Sequence, residues 1–139
     1  MLSAPDVAPP PAAAGSTLGT RILALVVSFV LGAVFGILGT VVHQVTFSVF
    51  GLFDVPVGLI VALPATALLL AGLRLVAPTR LAAVLAAAAL VGVVALLALP
   101  SQGGSVLIPA DLTGMAWVIG STLVAVVVLA WPEPAPRKP

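Results

Sequence analysis

Arg74-Leu75-Val76-Ala77-Pro78-Thr79-Arg80 is the stretch on which the fold turns, because an apolar run lies on either side of it. Val57 to Val76 and Leu81 to Leu99 each have about the 20 residues a helix needs to cross a hydrocarbon core roughly 30 Å thick. Pro78 and Thr79 leave room only for a tight turn, so the two runs are expected to form an antiparallel helical hairpin. Two further runs lie outside this pair, Ile22 to Val42 and Leu112 to Trp131. With 62% hydrophobic and 6% charged residues and a mean hydropathy of +1.35, the chain falls outside soluble composition, and lipid is the solvent for most of it. The runs are apolar on every face, whereas a spanning β-barrel needs shorter alternating segments. The expected fold is therefore all-α, a polytopic membrane protein with four transmembrane helices in an antiparallel bundle.

All five cationic side chains stand at span ends: Arg21, Arg74, Arg80, Arg137 and Lys138. Arg21 precedes the first span, Arg74 and Arg80 flank the middle turn, and Arg137 and Lys138 follow the last. The other two connections, His43 to Pro56 and Pro100 to Asp111, hold no Lys or Arg. The positive-inside bias then places both termini and the middle turn in the cytoplasm and the other two loops outside. A secretion signal is a poor match to the start of the chain, since Met1 to Thr20 has no Lys or Arg and the apolar run that follows is too long. The first span is expected to stay in the mature protein. There is no cysteine, which excludes a disulfide, a thiolate metal site and a thiol nucleophile.

The expected domains are a Pro/Ala-rich disordered tail over 1–20, a membrane domain over 21–131 and a Pro-rich basic tail over 132–139. Low complexity, with Pro5, Pro9, Pro10 and Pro11 in front and Pro132, Pro134, Pro136 and Pro139 behind, favours extended solvated tails.

Small residues recur every fourth position in the first span, at Ala24, Ser28, Gly32, Gly36 and Thr40. Lipid tails are as apolar as leucine, so helices associate in membranes where small side chains let backbones approach. Ser28, Gly32, Gly36 and Thr40 are expected at a helix interface, joined by Gly92 of the alanine-rich third span and Gly120 of the fourth. Packing within the chain, a homodimer and a partner subunit all fit such a stripe. Pro64 lacks a donor and crowds the carbonyl of Ile60, so a kink is expected in the second span, with Thr66 placed to satisfy freed backbone groups.

Span ends follow capping and interface rules. Asp54 ahead of Pro56 suits the start of the second span and Asp111 the start of the fourth. Arg74 faces the negative end of its helix and can snorkel. Trp131 is expected at the inner membrane edge and Trp117 near the outer one. Phe47, Phe50 and Phe53 recur at three-residue spacing, as on one flank of a short interfacial helix. His43, with Asp54 and Asp111, is the one weak candidate for a titratable or metal site in the outer loops.

Three stretches resemble a family of small, uncharacterised four-span integral membrane proteins of actinobacteria: Gly39-Thr40-Val41-Val42-His43, Pro56-Val57-Gly58-Leu59, and Leu99 to Asp111. The resemblance, over about residues 20 to 131, implies four spans and a bacterial plasma membrane and brings no activity or site residues. No span has an ionisable group near its middle, which argues against proton-coupled antiport, and no nucleophile, base or metal cluster marks an enzyme. The expected function is a non-catalytic accessory or structural subunit that packs against a larger membrane complex, with a small oligomeric transporter or channel as the alternative. The expected partners are the lipid bilayer and other membrane subunits or a second copy, with no nucleic acid, cofactor or metal.

Overall fold

The computed structural model describes residues 17–100 and 107–132; most of both proline-rich tails, the cations Arg137 and Lys138 and the glycine pair Gly103-Gly104 lie outside the described residues. The order of elements is α1 Leu18–Val42, β1 Phe47–Val49, β2 Phe53–Val55, α2 Val57–Val76, α3 Arg80–Ala98 and α4 Leu112–Ala130. All four helices are long and apolar enough to cross a membrane.

Local chemistry sets the boundaries. Helix α1 begins a turn earlier than its apolar run because Thr17 caps it, its hydroxyl accepting from the Thr20 amide at 3.3 Å. Asp111 caps α4 as its position suggests, accepting from the Gly114 amide at 2.7 Å. Asp54 does not cap α2: Pro56 occupies the cap position without a side-chain bond, and Asp54 instead pairs across a strand with Ser48. The interfacial helix expected around the phenylalanines is a two-stranded antiparallel hairpin. Phe47-Ser48-Val49 and Phe53-Asp54-Val55 alternate apolar and polar with period two, the strand signature, and between them Phe50 at φ 51° and Gly51 at φ 71° make the turn. The three-residue spacing of the phenylalanines comes from two strands and a turn rather than from a helix flank.

The most extensive helix contact joins α1 to α3. Ser28, Gly32, Gly36 and Thr40 are buried along one stripe of α1. Against them α3 buries Ala82, Ala83, Ala86, Ala87, Ala89, Leu90 and Val94. A Cβ on Gly32 would overlap the Ala86 carbonyl, and one on Gly36 would stand 2.9 Å from the Leu90 carbonyl oxygen and 3.2 Å from Val93 Cβ. The stripe therefore serves packing inside the chain. Gly120 of α4 faces Leu63 of α2 with a notional Cβ 3.0 Å from its nearest methyl. Gly92 does not belong to an interface, since nothing lies within 4 Å of its notional Cβ. It stands two positions from both Leu90 and Val94, about half a turn off the row that meets α1.

Hydroxyls within the spans bond to their own helices: Ser28 to the Ala24 carbonyl at 2.7 Å, Thr66 to Ala62 at 2.9 Å and Thr122 to Val118 at 2.8 Å. Helix α2 runs through Pro64 without a break, and the Thr66 hydroxyl goes to Ala62 rather than to the Ile60 carbonyl that Pro64 deprives of a donor.

Packing this close makes glycine substitutions unequal. Gly32→Ala forces α1 off α3 and is expected to destabilise by about 1–3 kcal/mol, the usual range for overpacking. Gly92→Ala meets open space and is expected to be neutral or to gain up to about 1 kcal/mol through reduced chain entropy. Thermal unfolding of both variants in one mild detergent checks the contrast.

Candidate functional site

Polar side chains gather at the two ends of the helices and differ in kind. At the end where α1 finishes, His43 is the C-cap residue, its amide bonded to the Gly39 carbonyl at 2.8 Å. Its ring is fully buried and Nδ1 lies 2.6 Å from the Thr40 carbonyl oxygen. A carbonyl only accepts, so Nδ1 carries the hydrogen. The ring stacks on Trp117 of α4 with centroids 5.9 Å apart and planes 16° from parallel. The Trp117 indole donates to the Thr40 hydroxyl at 3.2 Å. Thr40 thus binds both rings, one through its backbone and one through its side chain.

Trp117 does not face outward as a residue of an aromatic belt would. It is wholly buried, packed in a cluster with Ala62, Leu90, Val94 and Ile108. The cause is Gly39, where a Cβ would overlap the indole ring, so the glycine opens α1 to it. Gln44 extends the same knot by donating to the Leu107 carbonyl at 2.8 Å, next to the buried Ile108. Gly58, whose notional Cβ would overlap the Val42 carbonyl, brings the start of α2 against the end of α1. Gly39, Gly58 and Gly114 fall outside the four-residue stripe, which is why periodicity passed over them; Gly39 lies four positions before the C-cap His43 and Gly114 three after the N-cap Asp111.

His43, Asp54 and Asp111 form no acid-base or metal cluster. His43 bonds to Thr40, Asp54 is exposed on the hairpin and Asp111 is committed to its helix cap. Among the described residues no group of three or more His, Asp or Glu side chains is placed to hold a metal. His43 Nε2 is buried with no hydrogen-bond partner. What the knot does is mechanical: it ties the last turn of α1 to the first turns of α4.

The opposite end is held by arginine. Arg74 in the last turn of α2 donates through Nη1 to the Val128 carbonyl and through Nη2 to the Trp131 carbonyl. Arg80 Nη2 reaches the same Trp131 oxygen at 3.5 Å. The last carbonyls of a helix lack partners of their own, and here those of α4 take guanidinium donors from α2 and α3. The cation also offsets the negative end of the helix dipole. Beside this clamp lies a cleft of about 520 Å³ between α2 and α4, walled by Ala71, Leu75, Val127 and Val128 with Arg74 and Trp131. The sequence pointed to Arg74 as a snorkelling residue and gave no sign of its hold on α4.

No protein-family model, curated protein or solved structure matches this chain.

The buried stack separates ring packing from hydrogen bonding. His43→Ala opens a cavity against Trp117 and is expected to cost about 2–4 kcal/mol, in the range of large-to-small core changes. His43→Phe keeps a ring there while removing the unpartnered Nε2, and is expected to stay within about 1 kcal/mol of wild type. Unfolding midpoints of the two variants decide whether the imidazole is held for its shape or its nitrogens.

Proposed function

We propose that this chain is a non-catalytic subunit of a bacterial plasma-membrane assembly, an antiparallel four-helix bundle with both termini in the cytoplasm. Contact order supports the bundle. Gly32 meets Ala86 and Gly36 meets Leu90, ascending together, while the end of α1 meets the starts of α2 and α4. Charge supports the orientation, since Arg21, Arg74 and Arg80 belong to one end and the hairpin with Asp54 and Asp111 to the other.

The observation that carries the subunit reading is the hairpin. Its alternation puts Phe47, Val49, Phe53 and Val55 on one face and Ser48 and Asp54 on the other. Phe50 at the tip is 94% exposed and held at a positive φ that a bulky residue adopts only at a cost. A two-stranded hairpin is marginal alone in water and needs its apolar face covered. An apolar, strained tip presented outside the spans suits a neighbouring membrane subunit. The small-residue stripe no longer argues for an outside partner, because α3 occupies it.

An oligomeric transporter draws on one feature, an apolar cavity of about 180 Å³ lined by Phe35, Gly39, Val61, Ala62 and Thr66 beside the proline of α2. Its single hydroxyl, on Thr66, is already bonded to Ala62. That leaves the cavity without a free polar group for a solute, and the subunit reading stands ahead of it.

Purification of the tagged chain from native membranes in mild detergent tests the proposal. The expected result is a stoichiometric larger complex that is lost in a Phe50→Asn, Phe53→Ser double variant with an unchanged unfolding midpoint. A particle containing only this chain, in wild type and variant alike, overturns it.

A further inference from the structure

The cleft beside the arginine clamp has the make-up of a lipid site. Arg74 has five N–H donors, of which two are used by the Val128 and Trp131 carbonyls. Carbonyl dipoles orient the guanidinium without cancelling its charge, and among the described residues no carboxylate contacts it. Arg80 brings a second guanidinium to the same carbonyl. The Arg74 charge thus stands in the last turn of a helix long and apolar enough to span a membrane. Below it the walls change character. Ala71 and Leu75, one turn apart on α2, face Val127 and Val128 of α4. Leu75 is 80% exposed, so the apolar wall opens sideways toward acyl chains. Trp131, the C-cap residue of α4, stands at the rim, where an indole bridges apolar and polar layers. At about 520 Å³ the cleft is within the range of small-molecule sites.

We infer that this cleft binds one anionic phospholipid, its phosphate against Arg74 and one acyl chain along Leu75 and Val127. Basic pockets between spanning helices recognise acidic headgroups by this combination of charge and groove. A soluble phosphate would use the Arg74 guanidinium and leave the apolar walls idle; a zwitterionic lipid would use the walls and gain little net charge attraction from Arg74. The lipid would also bridge α2 and α4 beside the guanidinium bonds that join them.

Native mass spectrometry of the full chain in mild detergent, with added phosphatidylglycerol, phosphatidylcholine or inorganic phosphate, tests this. The expected result is one retained phosphatidylglycerol at roughly tenfold or greater preference over phosphatidylcholine, undisturbed by excess inorganic phosphate. Leu75→Trp and Val127→Trp fill the acyl wall from its two sides without touching the clamp, and each is expected to abolish the preference. Equal retention of the two lipids, displacement by inorganic phosphate, or an unchanged preference in either folded tryptophan variant overturns the inference. The readout depends on no protein partner, so its failure is separate from failure of the subunit reading.

Discussion

Backbone contact between α1 and α3 is the constraint on which the rest of the structure depends. In lipid no hydrophobic force drives apolar helices together, so attraction must come from dispersion between closely fitted surfaces. Gly32 and Gly36 on one side and the alanines of α3 on the other remove the side chains that would hold the axes apart. Once α1 and α3 are in contact, α2 and α4 pack through larger side chains, Leu63 against Gly120 and Leu70 beside Ala125. Leucine and tryptophan can fill that space because the tight interface lies elsewhere.

The ends of the helices answer a different demand. A spanning helix satisfies its own backbone except at its termini, where unpaired amides and carbonyls must find partners or water. Thr17 and Asp111 supply side-chain caps, and Arg74 and Arg80 supply donors to α4 from neighbouring helices. The other end relies on rings: His43 and Trp117 stack in a fully buried knot whose hydrogen bonds meet at Thr40. One end is therefore fastened by cations and the other by aromatic packing. Within the spans Ser28, Thr66 and Thr122 bond to their own helix, and among the described residues the buried side-chain nitrogen without a hydrogen-bond partner is His43 Nε2.

Four spans, the stripe on α1 and the cap at Asp111 were legible because each is a local pattern: apolar length, a four-residue period, an aspartate ahead of an apolar run. The hairpin was misread because three phenylalanines at a spacing of three satisfy a helix template, and the short alternation around Phe50-Gly51 carries less signal than the spacing does. The burial of Trp117 was hidden for a different reason. Its burial depends on Gly39, 78 positions away in sequence, and no local rule links a glycine on one helix to an indole on another. Gly92 shows the converse: a small residue in a small-residue helix looks like an interface until the direction it faces is known. His43 was visible as a lone imidazole, whereas its commitment to Thr40 and Trp117 exists only in three dimensions.

The function proposed here requires that the small-residue interface be satisfied within one chain, leaving other surfaces for partners and lipid. Because the chain has no native cysteine, a single engineered pair reports on this directly. Gly36→Cys with Val93→Cys places two thiols on β-carbons 3.2 Å apart, just under the roughly 3.5–4.5 Å of a disulfide. The small shift away from the Leu90 carbonyl that any β-carbon at 36 demands brings them into that range. Oxidation in native membranes followed by non-reducing electrophoresis should give a cross-linked monomer of altered mobility that reverts on reduction. A cross-linked dimer as the main product would contradict the account, since the stripe on α1 would then belong to an interface between chains.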